Sequence, residues 1–175
     1  MLATKPADIT LVLQKVTEGF TTIVYRPTDN DIIKICQLLL PILMKTKYDE
    51  LMLLQNPSGV ILPSKRYEQI YNKGAYLIPP VIALYDKTID KDATRTEVHL
   101  AEGKHEARRN ERQLYETADN SCRKFIMVVV DETWYKGLEN PDTFYTNATA
   151  LKLLDHLTKL CSGLHTIDAV DIPQY

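Results

Sequence analysis

The feature that most constrains this chain is a long proline-free stretch, residues 92–130, whose apolar positions follow a helical pattern. Its apolar residues recur at intervals of seven or four: Leu100, Ala107, Leu114, Ala118 and Phe125. Residues 94–120 are very polar, whereas residues 122–130 are apolar and belong in a core. We therefore predict one long helix with a narrow apolar stripe. A strand at 125–130 is the alternative, because three consecutive valines slightly disfavour a helix.

Two further segments combine a helix-start signal with helical spacing. Thr28 can cap a helix, and Asp31 is placed to bond back to it. The apolar residues that follow are Ile32, Ile33, Ile35, Cys36, Leu39 and Leu40. Pro41 removes a backbone donor, so it should kink or end this helix. Thr149 caps the second segment, 150–161, which Gly163 is placed to end. One face of that helix carries Leu151, Leu154, Leu157 and Leu160.

The intervening segments predict a small β-hairpin and a connector. Two short apolar runs, Leu51–Leu54 and Val60–Leu62, flank a strong turn signal at Asn56–Gly59. Ser64 caps a short helix through about Ile70, and residues 71–90 form an extended connector. The first 25 residues give only a weak signal. The sequence thus predicts a mostly α fold with a small N-terminal β-hairpin, an N-terminal subdomain at 1–90 and a helical core at 91–175.

Composition excludes several classes of protein. The 175 residues are 45% apolar and carry a net charge of −2, so a strongly basic surface is not a global property. The three cysteines are widely spaced and odd in number, which fits neither a disulfide framework nor a metal site. The longest apolar run is too short to span a membrane, and the N-terminus lacks a signal peptide's apolar core. We expect a soluble, cytoplasmic protein without a membrane partner.

No motif in the sequence points to catalysis. The glycines are isolated, so a phosphate-binding loop has no support. The histidines lack the spacing of a zinc or metalloprotease motif. Cys161 with His156 or His165 is the only nucleophile–base pairing that the sequence offers. Cys161 and His156 lie on different faces of one helix, so packing is the preferred interpretation for Cys161. We expect no enzyme activity, no cofactor, no metal and no small-molecule substrate.

One local patch could bind nucleic acid. Arg108, Arg109 and Arg112 lie close together on the long helix, and Arg123 with Tyr115 could extend the patch along single-stranded RNA. Glutamates are interleaved at spacings of three or four residues, a pattern typical of a solvated helix face. We favour the solvated face and keep a single-stranded nucleic-acid-binding or protein-interaction module as the alternative function.

The second half of the chain resembles the capsid region of Gag polyproteins from copia-type LTR retrotransposons. The resemblance is carried by Lys124–Asp131, by Trp134-Tyr135-x-x-Leu138, and by Ala148-Thr149-x-x-x-Leu153-Leu154-x-His156-Leu157. Segments of the first half follow in the family's order: Pro27–Ile32, Leu51–Leu54, Pro63–Tyr67 and Tyr76–Pro80. The resemblance spans about residues 20–172, and its last third is the specific part.

The resemblance implies a helical capsid-like domain, the N-terminal capsid part of a Gag that forms virus-like particles. The implied partner is the chain itself, in a homo-oligomer or capsid lattice. Candidate interface residues are Trp134, Tyr135, Leu151 and Leu160, while Leu154 and Leu157 are expected to fill the core. The chain departs from the family in lacking its glycine/histidine-rich segment, and Cys161-Ser162-Gly163 replaces its Tyr-Gly. The family's zinc knuckle and C-terminal capsid helices are also missing, so the chain reads as a fragment or remnant.

Overall fold

Helices make up nearly all regular structure in the residues that the computed structural model describes, which are 6–45, 55–82, 94–145 and 147–161. The α-helices are α1 (Pro6–Glu18), α2 (Asp29–Met44), α3 (Ser64–Tyr71), α4 (Arg95–Val129) and α5 (Ala150–Cys161). Short 3₁₀ turns occur at Pro57–Val60, Glu132–Trp134 and Lys136–Leu138. The predicted mostly α class is confirmed.

The long predicted helix is α4, and it does not give way to a strand. Thr94 and Glu97 form a reciprocal capping box at its start, with the Thr94 N–H donating to the Glu97 carboxylate at 2.8 Å. The helix continues through Val129, so the strand alternative at 125–130 is wrong. Phe125 and Ile126 are buried along with Val129. Their packing outweighs the small helix penalty of the β-branched residues.

The two halves of α4 lie in different surroundings. Residues 95–104 are exposed apart from a half-buried Val98. The second half lies in the core, where its buried apolar residues are Leu114, Tyr115, Ala118, Cys122, Phe125, Ile126 and Val129. This is the division that the polar and apolar parts of the sequence predict. The first half of α4 therefore projects beyond the packed body of the chain.

The helix α2 continues past its proline. Thr28 and Asp31 form the predicted capping box, in which the Thr28 N–H donates to the Asp31 carboxylate at 2.9 Å. Pro41 lies within the helix, which ends at Met44, so Pro41 does not end it. The alternative, that Pro41 kinks the helix, stays a prediction. Leu40 and Leu43 are fully packed on either side of Pro41, and this burial offsets the missing backbone hydrogen bond.

The predicted β-hairpin is wrong where the structure can be described. The first run, Leu51–Leu54, lies outside the described residues. The Asn56 side chain accepts a hydrogen bond from the Ser58 N–H at 2.9 Å and begins a 3₁₀ turn, not a reversal between strands. Three successive residues, Val60–Leu62, are all buried, whereas a hairpin exposed on one face would alternate. Gly59 is required here, because a Cβ would lie 2.1 Å from the Tyr76 ring.

One hydrophobic cluster connects the helices. It includes residues of α1, a helix that the sequence analysis did not predict. Ile9 and Leu13 of α1 are buried against the second half of α4. The Thr10 Oγ1 lies 2.8 Å from the Ser121 Oγ, which links the two helices. Two backbone hydrogen bonds hold the segment after α1 to the end of α4: the Ile23 N–H donates to the Val129 carbonyl, and the Asp131 N–H donates to the Ile23 carbonyl. The predicted domain boundary at residue 90 lies outside the described residues and stays a prediction.

Candidate interaction surfaces

The two aromatic interface candidates differ in exposure. Trp134 is half-buried, and its Nε1–H donates to the Val24 carbonyl at 3.4 Å. Tyr135 is only 5% exposed. Its hydroxyl donates to the Met127 carbonyl at 3.1 Å, and its ring meets Tyr145 edge-on at 5.3 Å. Trp134 thus keeps a surface available for contact, whereas Tyr135 anchors the segment after α4 to the core.

The four leucines of α5 that the sequence places on one face differ in their burial. Leu154 and Leu157 are fully buried, so their predicted core role is confirmed. Leu151 and Leu160 are half-exposed. Leu151 borders a small depression of about 140 Å³ shared with Ile78, and the Leu160 carbonyl accepts a hydrogen bond from the Arg26 guanidinium. Only the two half-exposed leucines could contribute apolar area to a contact with another molecule.

Two of the four arginines in the predicted nucleic-acid patch are used within the fold. Arg112 lies 2.6 Å from the Glu116 carboxylate and donates to the Pro79 carbonyl at 2.7 Å. It also lies over the Tyr115 ring, 5.4 Å from the centroid. These contacts pin the extended segment 75–82 to α4. The guanidinium is therefore only partly available to a phosphate.

Arg123 holds the chain that leads into α5. Its guanidinium donates to the Tyr145 carbonyl at 3.1 Å and to the Asn120 side chain at 2.8 Å. One turn before Arg123, the Asp119 carboxylate accepts from the Ala150 N–H at 2.9 Å, and burial raises the pKa of this carboxyl group. Thr149 also caps α5 as predicted, since its hydroxyl accepts from the Lys152 N–H at 3.2 Å. Residues of α4 therefore position the start of α5.

The remaining two arginines lie on the projecting half of α4. Arg108 and Arg109 are exposed, and the Arg109 guanidinium lies 3.9 Å from the Glu106 carboxylate. His99 and Glu102 form a similar exposed pair at 3.5 Å. This interleaving of opposite charges is that of a solvated helix face. The structure thus separates Arg108 and Arg109, which face solvent, from the two arginines engaged inside the fold.

The cysteines take packing roles. Cys36 and Cys122 are buried and unbridged, and burial raises the pKa of the Cys36 thiol to about 12. The Cys161 thiol donates to the Pro27 carbonyl at 3.0 Å. The His156 Nε2 lies 3.2 Å from the Trp134 carbonyl. Each member of the pair considered as nucleophile and base thus bonds to a backbone carbonyl of another segment.

A groove between α1 and α4 was not foreseen from the sequence. It encloses about 470 Å³ and is lined by residues from both helices, chiefly Leu13, Glu18, Lys124, Phe125 and Val128. Leu13 and Phe125 form its buried floor, and Val128 at one edge is 54% exposed. Since α1 was not predicted, the pairing that makes this groove could not be predicted either.

The described parts of the chain contain no cluster of three or more histidine, cysteine, aspartate or glutamate side chains that could hold a metal ion. Within the same residues, none of the helices combines the length and apolar character needed to cross a membrane. No family model, curated protein or solved structure matches this chain.

Proposed function

We propose that this chain is a structural assembly protein, the N-terminal capsid-like part of a retrotransposon Gag that self-associates into virus-like particles in the cytoplasm. The proposal rests on the resemblance of the second half of the sequence to the capsid region of copia-type Gag polyproteins. The mostly helical fold is compatible with it. The proposal assigns no catalytic residue and no cofactor to the chain.

One observation carries the proposal: the separate segments of the resemblance pack against one another. The His156 Nε2 lies 3.2 Å from the Trp134 carbonyl oxygen. Gly137 lies beside the same imidazole ring, so that a Cβ at Gly137 would be 3.7 Å from the His156 Cε1. Leu153, Leu154 and Leu157 are all fully buried. The spacing between the Trp-Tyr motif and the Leu-Leu-x-His-Leu motif thus has a structural reason. A pattern that forms one packed unit supports a shared fold better than a pattern of unrelated surface residues would.

The surface of the domain suits an assembly role. Closed shells are built from many individually weak contacts between rigid subunits, and such contacts need exposed apolar side chains on a firm scaffold. The half-buried Trp134, Leu151 and Leu160 remain the predicted contact residues. Further apolar side chains are more than half exposed and are additional candidates for contact: Leu11, Val24, Tyr25, Leu77, Ile78, Val81, Leu100, Val128 and Phe144.

The alternative of single-stranded nucleic-acid binding has narrower support. Of the four candidate arginines, Arg108 and Arg109 are exposed, and both lie among glutamates on α4. Arg112 and Arg123 already bond to carbonyl groups of the chain. A binder of this kind would show steeply salt-dependent affinity through phosphate contacts. RNA therefore stays a secondary partner in the proposal.

Negative-stain electron microscopy of the purified chain, over a concentration series up to millimolar, tests the proposal. Regular shell-like or tubular particles would support it. Single-stranded RNA binding should be followed in parallel by fluorescence anisotropy at two salt concentrations. Tight, salt-sensitive binding that R108A/R109A abolishes, together with absence of any particle, would favour the nucleic-acid module over the assembly protein.

A further inference from the structure

The α1–α4 groove has the layout of a contact that one copy of the chain can make with another. Its floor is apolar and buried, formed by Leu13 and Phe125, which are 3% and 2% exposed. At its edge Val128 is 54% exposed. The other lining residues of the two helices are polar. A recess with an apolar floor and a largely polar rim is thus open on the surface.

The charges at the groove are opposite in sign and lie on different helices. Glu18 is exposed at the α1 side, and Lys124 is exposed at the α4 side. A two-fold axis running along the groove would place α1 of each copy over α4 of the other. Glu18 of each copy would then face the partner's Lys124, giving two opposite-charge pairs by symmetry.

We propose that the α1–α4 groove is a two-fold contact surface between two copies of this chain. Val128 supplies its exposed apolar area above the buried Leu13 and Phe125, and Glu18 with Lys124 sets its orientation. This inference deepens the proposed assembly function and rests on it, since it names one of the surfaces through which subunits would meet. A single small apolar centre with a polar rim predicts a weak dimer, as expected of one contact type in a shell.

A charge-swap series on the full chain tests the contact. Dimerisation should be measured by size exclusion with light scattering at low salt, over a concentration series. The single substitutions E18K and K124E should each weaken the dimer about 3- to 10-fold, because each replaces two attractions with two repulsions. The double variant E18K/K124E should restore wild-type association. V128D should weaken it more than either single charge reversal, since it places a charge in the apolar centre.

The matched control is E68K, a charge reversal at an exposed position of α3 outside the groove, which should leave association unchanged. All five variants should show the same circular dichroism as the wild type, because the changed residues are exposed. Association that ignores every groove variant would overturn the inference and leave the assembly function with another surface. Weakening without rescue in the double variant would overturn the reciprocal pairing. A strict monomer in all variants would overturn both the contact and self-assembly by this chain, and would assign the groove to another occupant.

Discussion

Replacing Leu154 by alanine should be far more costly than the same replacement three residues earlier, at Leu151. Leu154 is fully buried in the common core, whereas Leu151 is half-exposed. Truncating a buried leucine removes its transfer free energy and leaves a cavity, which costs about 2–5 kcal/mol. A half-exposed leucine should lose about 1 kcal/mol or less. Both sites lie on α5, so the difference in intrinsic helix propensity between leucine and alanine cancels in the comparison.

Urea unfolding followed by circular dichroism at 222 nm measures both free energies of unfolding, with an unchanged slope as the check on two-state behaviour. A loss of about 3 kcal/mol at Leu154 should also lower the melting temperature by about 6–12 °C for a chain of this size. L157A and L160A repeat the comparison one turn later on the same helix. If L151A proved as destabilising as L154A, the packing of α5 would be wrong, and with it the choice of Leu151 and Leu160 as surface residues.

Three further predictions test other parts of the fold by the same unfolding assay. R123M should lose about 1–3 kcal/mol, because it leaves the part-buried Tyr145 carbonyl and Asn120 side chain without their donor. R108M should change stability by less than about 0.5 kcal/mol. Equal effects would contradict the structural role of Arg123. G59A should destabilise the chain by more than about 2 kcal/mol, because the added Cβ would overlap the Tyr76 ring. G103A should instead stabilise α4 by up to about 1 kcal/mol, because nothing lies within 4 Å of its added Cβ. A neutral G59A would refute the close approach of Tyr76 to Gly59. Asp31 is partly desolvated, which raises its pKa, but hydrogen bonds from the capping threonine outweigh this and hold the pKa below its usual value. Its contribution should therefore be present above pH 3.8 and lost as the pH falls through the lowered folded value. D31N should be destabilised at pH 7, and its difference from the wild type should shrink as the pH falls below 3.8; a constant difference across this range would contradict the capping box.

Sequence reasoning was most successful where local chemistry and periodicity agree. The starts of α2 and α5 were predicted from Thr28 and Thr149, and α4 was predicted from its apolar spacing alone; each helix forms. The extension of α4 through Val129 could be predicted only as one of two alternatives, because β-branched residues accept a helix when packing favours it. Local signals of this kind predict where a helix forms but not which other helices it packs against.

The errors arose where the outcome depends on distant contacts. The turn at Asn56–Gly59 was recognised, but the 3₁₀ path follows from the Tyr76 ring lying on Gly59, a neighbour remote in sequence. The α1 helix was missed because its polar and β-branched residues gain stability from packing against other helices, chiefly α4.

The same limit applies to the candidate surfaces. The spacing of four residues between Arg112 and Glu116 indicates an ion pair on one helix face. No local sequence pattern indicates that Arg123 donates to the Tyr145 carbonyl. Leu154 and Leu157 could be placed in the core from spacing alone, because the face of an amphipathic helix is a local property. The groove between α1 and α4 required both helices and their packing, so no sequence pattern could have shown it.

The proposed function requires that this chain associate with itself. Size exclusion coupled to light scattering, over concentrations from about 1 μM to 1 mM, measures this association. We expect a reversible rise in mean mass with concentration, from monomer toward dimer and larger species. A mass of 20.0 kDa at every concentration would contradict it.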